Sequence, residues 1–222
     1  MTIYIGLSGT IAAGKGEVLR IIKEKSIKGK LTKGKLTKGK YTPIPSISYS
    51  LSDELRVILK EMKKEITRDN LMKIGNDLRK ENGSNYLAMR LIEKVKRIEN
   101  PPKIIMPGII IFDSIRNPTE IIAFKNEFGN NFSLFFIDAS KRIRYERVRK
   151  RKREGEGLLS FNEFTNKNEK DLGKNQPEWG TKLKECKKLA DFIIINDKSF
   201  NDLENKVMEV LNLCLKETRK QG

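Results

Sequence analysis

The sequence predicts an α/β fold with a parallel sheet of about five strands and helices on both of its faces. Short apolar runs alternate with segments of helical spacing, and this alternation is typical of parallel sheets. One run, Ile109–Phe112, is apolar throughout, which suits a central strand buried on both faces. The five predicted strands are Thr2–Leu7, Ile44–Tyr49, Ile109–Phe112, Phe132–Asp138 and Phe192–Ile195.

Length and composition favour a single domain over residues 1–222. A chain of 222 residues can bury a full core without disulfides or structural metals. Hydrophobic residues make up 37% and charged residues 34%, so the chain is polar but has enough apolar residues to fold. No apolar run reaches the ~18 residues needed to span a membrane. The N-terminus lacks a basic segment with a cleavage site, so we expect a cytoplasmic protein without membrane contact.

The residue types that are missing limit the chemistry. The chain has no histidine, which excludes histidine general bases, Ser-His-Asp triads and histidine-ligated zinc. Its two cysteines, Cys186 and Cys214, are too far apart in sequence for a metal motif. Any catalysis must therefore use Asp, Glu, Lys, Arg, backbone amides and a bound metal ion.

The segment from Gly9 to Gly16 carries the clearest functional motif. Its sequence, Gly-Thr-Ile-Ala-Ala-Gly-Lys-Gly, matches the phosphate-binding pattern G-x-x-x-x-G-K, and it lies between a predicted strand and a predicted helix, Glu17–Lys25. Glycines let backbone amides wrap around phosphates, and the lysine reaches the β- and γ-phosphates. The expected nucleotide contacts are Gly9, Thr10, Ala12, Ala13, Gly14, Lys15, Gly16 and Glu17.

Three other polar segments also follow predicted strands: Ser50–Arg56, Asp113–Arg116 and Asp138–Arg153. Parallel sheets of this kind bind ligands at the carboxyl ends of their strands. We therefore expect these segments to converge with the phosphate-binding loop in one crevice.

The net charge of +17 is concentrated in two segments. Residues 28–42 hold three five-residue repeats with six lysines and no acid, and we interpret them as an inserted loop. That insertion is either a loop expansion without function or a weak polyanion contact through Lys28–Lys40. Residues 141–153 hold nine basic residues and one glutamate. Arg144, Arg147 and Arg151 share one helical face there, which is either a solvated basic face or an anion site.

The Gly14-Lys15-Gly16 form of the loop resembles that of nucleoside monophosphate kinases such as adenylate kinase, which have the three-layer α/β/α P-loop NTPase fold. Ser50–Arg56 resembles the segment of those kinases that receives the acceptor monophosphate, and Asp113–Arg116 is similar to their Asp-Gly-Phe-Pro-Arg strand end. The resemblance implies a helical acceptor-binding region at about 51–99. It also implies that Arg56 and Arg116 hold the acceptor phosphate and that Asp113 orients Mg²⁺ through water.

The basic segment after the fourth strand lies where those kinases carry lid arginines. The resemblance therefore implies a lid at about 150–178, and a catalytic set of Lys15, Asp113, Arg116, Arg147 and Arg151. Ala190–Asn196 resembles the last strand of dephospho-coenzyme A kinases, which share the fold.

The combined features look closest to kinase-like domains that occur alone or fused to deoxycytidylate deaminase-like domains. The segments that carry this resemblance, besides those at the strand ends, are Gly75–Arg79, Asn117-Pro118 and Asp171–Gly173. A deaminase half is not expected here, because such domains need zinc ligands that this chain lacks.

Three positions weaken the resemblance or leave a role open. Glu17 stands where adenylate kinase-like enzymes have Thr or Ser, and a carboxylate near a triphosphate is unfavourable unless it faces away or meets a metal ion. Leu51 replaces the Thr of the acceptor segment, so base selection does not carry over. Asp53 is either a base or metal-orienting group at the acceptor site, or an acid favoured by the helix dipole.

The sequence thus predicts an enzyme that uses ATP and Mg²⁺ to phosphorylate a nucleotide-like acceptor, with a (deoxy)nucleoside monophosphate as first choice. Dephospho-coenzyme A is the alternative acceptor. Two non-catalytic alternatives are a nucleotide sensor, which Glu17 favours, and a nucleic-acid-associated protein, which the lysine repeats favour.

Overall fold

The computed structural model describes residues 2–27, 44–99, 108–151 and 159–219. Five parallel strands form one sheet in the order β2-β3-β1-β4-β5. The lysine repeats at 28–42, Arg153 and the 152–158 part of the expected lid lie outside the described residues. The strands are β1 Ile3–Gly9, β2 Ser46–Ser50, β3 Ile109–Ile115, β4 Phe132–Asp138 and β5 Phe192–Ile195.

Helices connect these parallel strands, as the alternation in the sequence predicts. A single 3₁₀ turn, Gly129–Asn131, precedes β4. The helices are α1 Lys15–Ile27, α2 Leu51–Glu61, α3 Arg68–Asn82, α4 Tyr86–Glu99, α5 Pro118–Phe128, α6 Lys141–Arg151, α7 Phe161–Leu172, α8 Leu183–Lys188 and α9 Phe200–Arg219.

Two hydrophobic clusters cover the two faces of the sheet. On one face, α1 and α9 pack on the strands through residues such as Ile22 and Val207. On the other, α2, α4 and α5 pack through residues such as Leu91 and Phe124. Period-2 alternation of buried side chains sends Ile111 to the first cluster and Phe112 to the second. This arrangement confirms the predicted three-layer α/β/α fold.

The element boundaries differ from the predictions by a few residues. β1 and β3 run past their apolar stretches to Gly9 and Ile115, because ladder hydrogen bonds to neighbouring strands continue into the polar ends. The start of α5 is explained by its own sequence. Asn117 caps the helix, Pro118 opens it and Glu120 completes a capping box.

The described residues contain no helix that is both long and apolar enough to cross a membrane.

Candidate active site

The phosphate-binding loop joins β1 to α1, and two of its glycines cannot be replaced by residues with a side chain. Gly9 has φ +143°, and a Cβ there would lie 2.1 Å from the Ile137 carbonyl oxygen. Gly14 has φ +102°, and a Cβ would lie 2.3 Å from Asn196 Nδ2. These conformations and approaches require glycine. Gly16 differs, because nothing lies within 4 Å of a Cβ built on it.

Side chains from distant parts of the chain fasten the loop. Thr10 Oγ1 donates to Asp138 Oδ1 at 2.9 Å, and Asn196 Nδ2 donates to the Ala13 carbonyl at 2.8 Å. Arg144 is 5% exposed and donates to the Ala139 carbonyl at 2.8 Å and to Asn168 Oδ1 at 2.6 Å, with Ile11 O at 3.4 Å. The loop conformation is therefore fixed by β4, β5, α6 and α7.

Asp138 can accept the hydrogen bond from Thr10 because its carboxylate stays ionised. Burial opposes its ionisation, but hydrogen bonds from Lys187 and Thr10 outweigh that effect, so the pKa of Asp138 lies below its ordinary value. Lys187 Nζ donates to Asp138 Oδ2 at 2.7 Å.

Lys15 is half-buried and folds over its own loop. Its Nζ donates to the Gly9 carbonyl at 2.7 Å and to the Thr10 carbonyl at 3.3 Å. Burial, together with the positive charge of Arg116, lowers the pKa of Lys15 from 10.5 to about 8, although Asp113 opposes the shift. An anion at this position would stabilise the charged ammonium that burial disfavours.

Arg116 lies at the end of β3, and its backbone is held from two sides. Its N–H donates to Glu120 Oε2 at 2.9 Å, and its carbonyl accepts from the Lys182 N–H at 2.9 Å. Glu120 in turn is fully buried and accepts from Arg79 Nε and a terminal nitrogen at 2.9 and 2.7 Å. This network fixes the backbone of Arg116 and therefore the position of its Cα atom.

The Arg116 guanidinium, by contrast, has no hydrogen bond or ion pair to any described residue. Burial lowers the pKa of Arg116, with Asp171 opposing the shift. Because buried charges are normally paired, a half-buried guanidinium of this kind indicates an anion site.

Asp113 lies beside this arginine at the polar end of β3. Its Oδ2 accepts from Ser114 Oγ at 3.2 Å, whereas its Oδ1 is buried without a hydrogen-bond donor among the described residues. Three hydroxyls cluster next to it: Ser50 and Ser52 lie 2.9 Å apart, and Ser114 lies 3.4 and 3.2 Å from them. A carboxylate oxygen left open in this way suits hydrated Mg²⁺, so Asp113 fits the metal role that the resemblance implies.

A cavity of about 860 Å³ joins these parts. Its lining includes the phosphate-binding loop, Asp113 and Arg116 at the end of β3, and Arg68 and Leu71 near the start of α3. Its size lies within the range of small-molecule sites. The structure thus brings together the strand-end segments that the sequence predicts should converge.

The remaining predicted site residues have their own partners. Arg56 forms an exposed ion pair with Asp53 at 3.6 Å, and both side chains line the cavity. Arg147 contacts the Asn196 carbonyl at 2.9 Å and the Ala13 carbonyl at 3.5 Å. Arg151 lies at the end of α6 and also lines the cavity.

Glu17 at the cavity mouth turns towards Arg20 on the next turn of α1. The carboxylate oxygen and the guanidinium lie 2.7 Å apart, and both side chains are about half exposed. The arginine balances the carboxylate charge next to the phosphate-binding loop. This geometry removes part of the conflict that the sequence raises at this position.

Sequence reasoning gave no site role to Arg68 and Asp171. Arg68 of α3 forms an ion pair with Asp171 of α7, whose side chain is 2% exposed, and this pair joins α3 to α7. The two partners lie 103 residues apart, so local sequence patterns could not predict their contact. The resemblance noted at Asp171-Leu172-Gly173 was the one signal that pointed to either residue.

The fold and the loop together define the class: the chain has the three-layer fold of P-loop kinases. Comparison with solved structures supports this at the level of fold. A gluconokinase from Sinorhizobium meliloti superposes with a TM-score of 0.52 at 10% identity, over 99% of this chain and 97% of the enzyme. A shikimate kinase from Acinetobacter baumannii, solved with shikimate, gives 0.52 at 12% identity over 97% and 94% of the two chains.

Sequence comparison adds two relatives that match this chain over most of their length and a third that matches over less than half of its own. The chain is 28% identical to a UPF0200 protein of Pyrococcus horikoshii, over 94% of this chain and 96% of that one. It is 27% identical to a UPF0200 protein of Methanocaldococcus jannaschii over 95% and 91% of the two chains. An Archaeoglobus fulgidus protein named UPF0200/UPF0201 is 32% identical over 66% of this chain, which spans 42% of that relative. No protein-family model matches the chain.

These names do not include an activity or an acceptor. The resemblance to kinase-like domains found with deoxycytidylate deaminase-like domains stays a prediction, because none of these relatives is named for such a fusion.

Proposed function

We propose that this protein transfers the γ-phosphoryl group of ATP to a nucleotide-like acceptor, most simply a (deoxy)nucleoside monophosphate. The observation that carries the proposal is the half-buried guanidinium of Arg116, which has no hydrogen bond or ion pair to the described residues and lines the same cavity as the Lys15 loop. Donor and acceptor phosphates both need positive charge, and the cavity offers it at both places.

In this proposal Lys15 and the loop amides hold the β- and γ-phosphates. Arg116 binds the acceptor phosphate, and Arg56 joins it after exchanging its ion pair with Asp53. Bound Mg²⁺ would neutralise charge between donor oxygens, and Asp113 would hold it through water. Arg147 and Arg151 would complete the positive surroundings from α6. Neither a histidine nor a proton-abstracting base is needed, because a phosphate acceptor is already ionised at neutral pH.

An acceptor panel tests the proposal. The full chain is incubated with ATP and Mg²⁺ and with each of the nucleoside and deoxynucleoside monophosphates and dephospho-coenzyme A. Acceptor-dependent ADP release with a monophosphate supports it. Measurable ATP binding without release for any acceptor contradicts it and favours a nucleotide sensor instead.

Dephospho-coenzyme A is the second candidate acceptor, and the last strand supports it. β5 ends next to Asn196, which holds the loop through the Ala13 carbonyl at 2.8 Å, and this segment carries the resemblance to dephospho-coenzyme A kinases. Release of ADP only with that acceptor favours it over the monophosphates.

The lysine repeats remain a separate proposal about partners. Deleting residues 28–42 should leave phosphoryl transfer unchanged and weaken any salt-sensitive binding to nucleic acid. Equal nucleic-acid binding by both chains would exclude the repeats as a polyanion contact.

A further inference from the structure

The phosphate-binding loop lacks the hydroxyl that usually contacts Mg²⁺. In the general pattern, Ser or Thr follows the lysine and its oxygen binds the metal ion, whereas Gly16 occupies this position. The other hydroxyl of the loop, Thr10 Oγ1, is committed to Asp138 at 2.9 Å. Any side-chain hydroxyl that binds the metal ion must therefore come from another element.

We infer that Ser50, Ser52 and Ser114, together with Asp113, form the divalent-cation site of this protein. All four residues line the cavity that holds Lys15. β2 and β3 are neighbours in the sheet, and Ser50 pairs directly with Asp113, so the two strand ends bring the oxygens together. The inference rests on the proposed function only through nucleotide binding at the Gly9–Gly16 loop.

The hydrogen bonds of the cluster leave its oxygens as acceptors. Ser50 Oγ donates to Ser114 Oγ at 3.4 Å, and Ser114 Oγ donates to Asp113 Oδ2 at 3.2 Å. Each hydroxyl has one hydrogen, so Ser52 donates to only one of its two neighbours, Ser50 at 2.9 Å or Ser114 at 3.2 Å. All three hydrogens are used inside the cluster. Lone pairs remain for the cavity, and these suit a cation or its water shell and repel phosphate oxygens.

The unpaired oxygen of Asp113 adds negative charge at the same point. Oδ1 is buried without a donor among the described residues, and a buried carboxylate oxygen left without a hydrogen bond is unfavourable. A hydrated cation would supply the missing hydrogen bonds.

Two local departures from ordinary geometry also favour a binding role. Ser50 is the N-cap of α2, yet its side chain makes no capping hydrogen bond and turns to the cluster instead. Ser114 has φ +68°, a left-handed conformation that is strained in a residue with a Cβ. Both give up local stability to place a hydroxyl next to Asp113.

The test measures metal binding without turnover. The full chain is titrated with a non-hydrolysable ATP analogue, once with EDTA and once with saturating Mn²⁺, and bound Mn²⁺ is followed by electron paramagnetic resonance. The ratio of the two analogue affinities gives the gain due to metal. Ser114→Ala and Ser52→Ala should leave the EDTA affinity within twofold and reduce the metal-dependent gain at least tenfold.

Two further variants separate the hydroxyl from strain and from general damage. Ser114→Gly removes the hydroxyl and relieves the positive φ, so it should lose the metal-dependent gain as Ser114→Ala does while unfolding at a higher temperature. Ser46→Ala removes a buried β2 hydroxyl without a hydrogen-bond partner among the described residues, and it should keep the full gain.

Because a Cβ on Gly16 would meet nothing within 4 Å, a loop hydroxyl can also be restored. Gly16→Ser in the Ser114→Ala background should recover part of the Mn²⁺ affinity.

Three results would overturn the inference. Serine variants that keep the wild-type metal-dependent gain, or that weaken acceptor binding alone, exclude the cluster as the cation site. A wild-type chain whose analogue affinity ignores Mn²⁺ does the same, while the donor site and the proposed function stand. A wild-type chain that binds no nucleotide overturns the proposed function, and this inference with it.

Discussion

The phosphate-binding loop and the end of β3 line the same cavity but are built in opposite ways. The loop is fastened by side chains from distant parts of the chain, including Asp138 to Thr10 at 2.9 Å and Asn196 to the Ala13 carbonyl at 2.8 Å. At the end of β3, the Arg116 guanidinium and Asp113 Oδ1 have no hydrogen-bond partner among the described residues. The loop conformation is therefore fixed in advance, whereas these groups at the end of β3 stay open to a ligand.

The largest effect on activity should come from the phosphate-binding loop. We expect Lys15→Ala to lower kcat by about 10³-fold, because a charge on the transferring phosphoryl group is lost. Acceptor-dependent ADP release measures it. Stability should fall little, since among the described residues Lys15 Nζ donates only to two carbonyls of its own loop. Retained turnover would place the donor site elsewhere.

The buried Arg79–Glu120 pair, which holds the backbone of Arg116, should give the largest loss of stability. Arg79→Met leaves the fully buried Glu120 carboxylate without its ion-pair partner. Breaking such a buried pair costs about 3 to 5 kcal/mol in the free energy of unfolding. Urea unfolding measures the change, and Arg90→Met, which removes an exposed pair with Glu54 at 3.4 Å, is the matched control with less than about 1 kcal/mol.

Replacing Arg116 should have the opposite effect to replacing Arg79, because it should preserve stability and impair the use of the acceptor. Arg116→Met removes a guanidinium that pairs with no described residue, so the free energy of unfolding should stay within about 0.5 kcal/mol or rise. The acceptor kcat/KM should fall by about 10²-fold while ATP affinity stays constant. A strong loss of stability with unchanged acceptor kinetics would make Arg116 a structural residue.

A smaller effect should appear with pH. The pKa of Lys15 in the free protein is lowered to about 8, and bound phosphates favour its charged form. Nucleotide binding then takes up a proton above pH 8, so ATP affinity should fall by up to about tenfold per pH unit there and level off below it. Titration calorimetry at several pH values measures the slope, and Lys15→Ala should flatten it. An equal slope in both chains would assign it to another group.

Local signals in the sequence were enough for the phosphate-binding loop and for the alternation of strands and helices along the chain. Gly9 and Gly14 stand at fixed spacing between a strand and a helix, and Asn117 is followed by Pro and Glu at the expected positions. The contacts that fasten the site could not be predicted in this way. Thr10 and Asp138 lie 128 residues apart, and Ala13 and Asn196 lie 183 apart.

The basic helix shows the same limit at the level of individual side chains. Its spacing correctly places Arg144 and Arg147 on one face, but that face turns towards the loop carbonyls of Ile11 and Ala13. Periodicity shows which residues share a face, whereas the neighbouring element decides what that face contacts. The predicted transfer roles of Arg147 and Arg151 stay predictions.

Identification of the product by phosphorus NMR tests the central claim most directly. The chain is incubated with ATP, Mg²⁺ and the acceptor that gives the fastest ADP release. The account predicts that the phosphorus signal of the monophosphate acceptor disappears and that two nucleoside diphosphates form for each ATP consumed, without inorganic phosphate. A new phosphomonoester with dephospho-coenzyme A would move the assignment to the second acceptor. ADP and inorganic phosphate alone, whatever acceptor is present, would contradict phosphoryl transfer to a nucleotide.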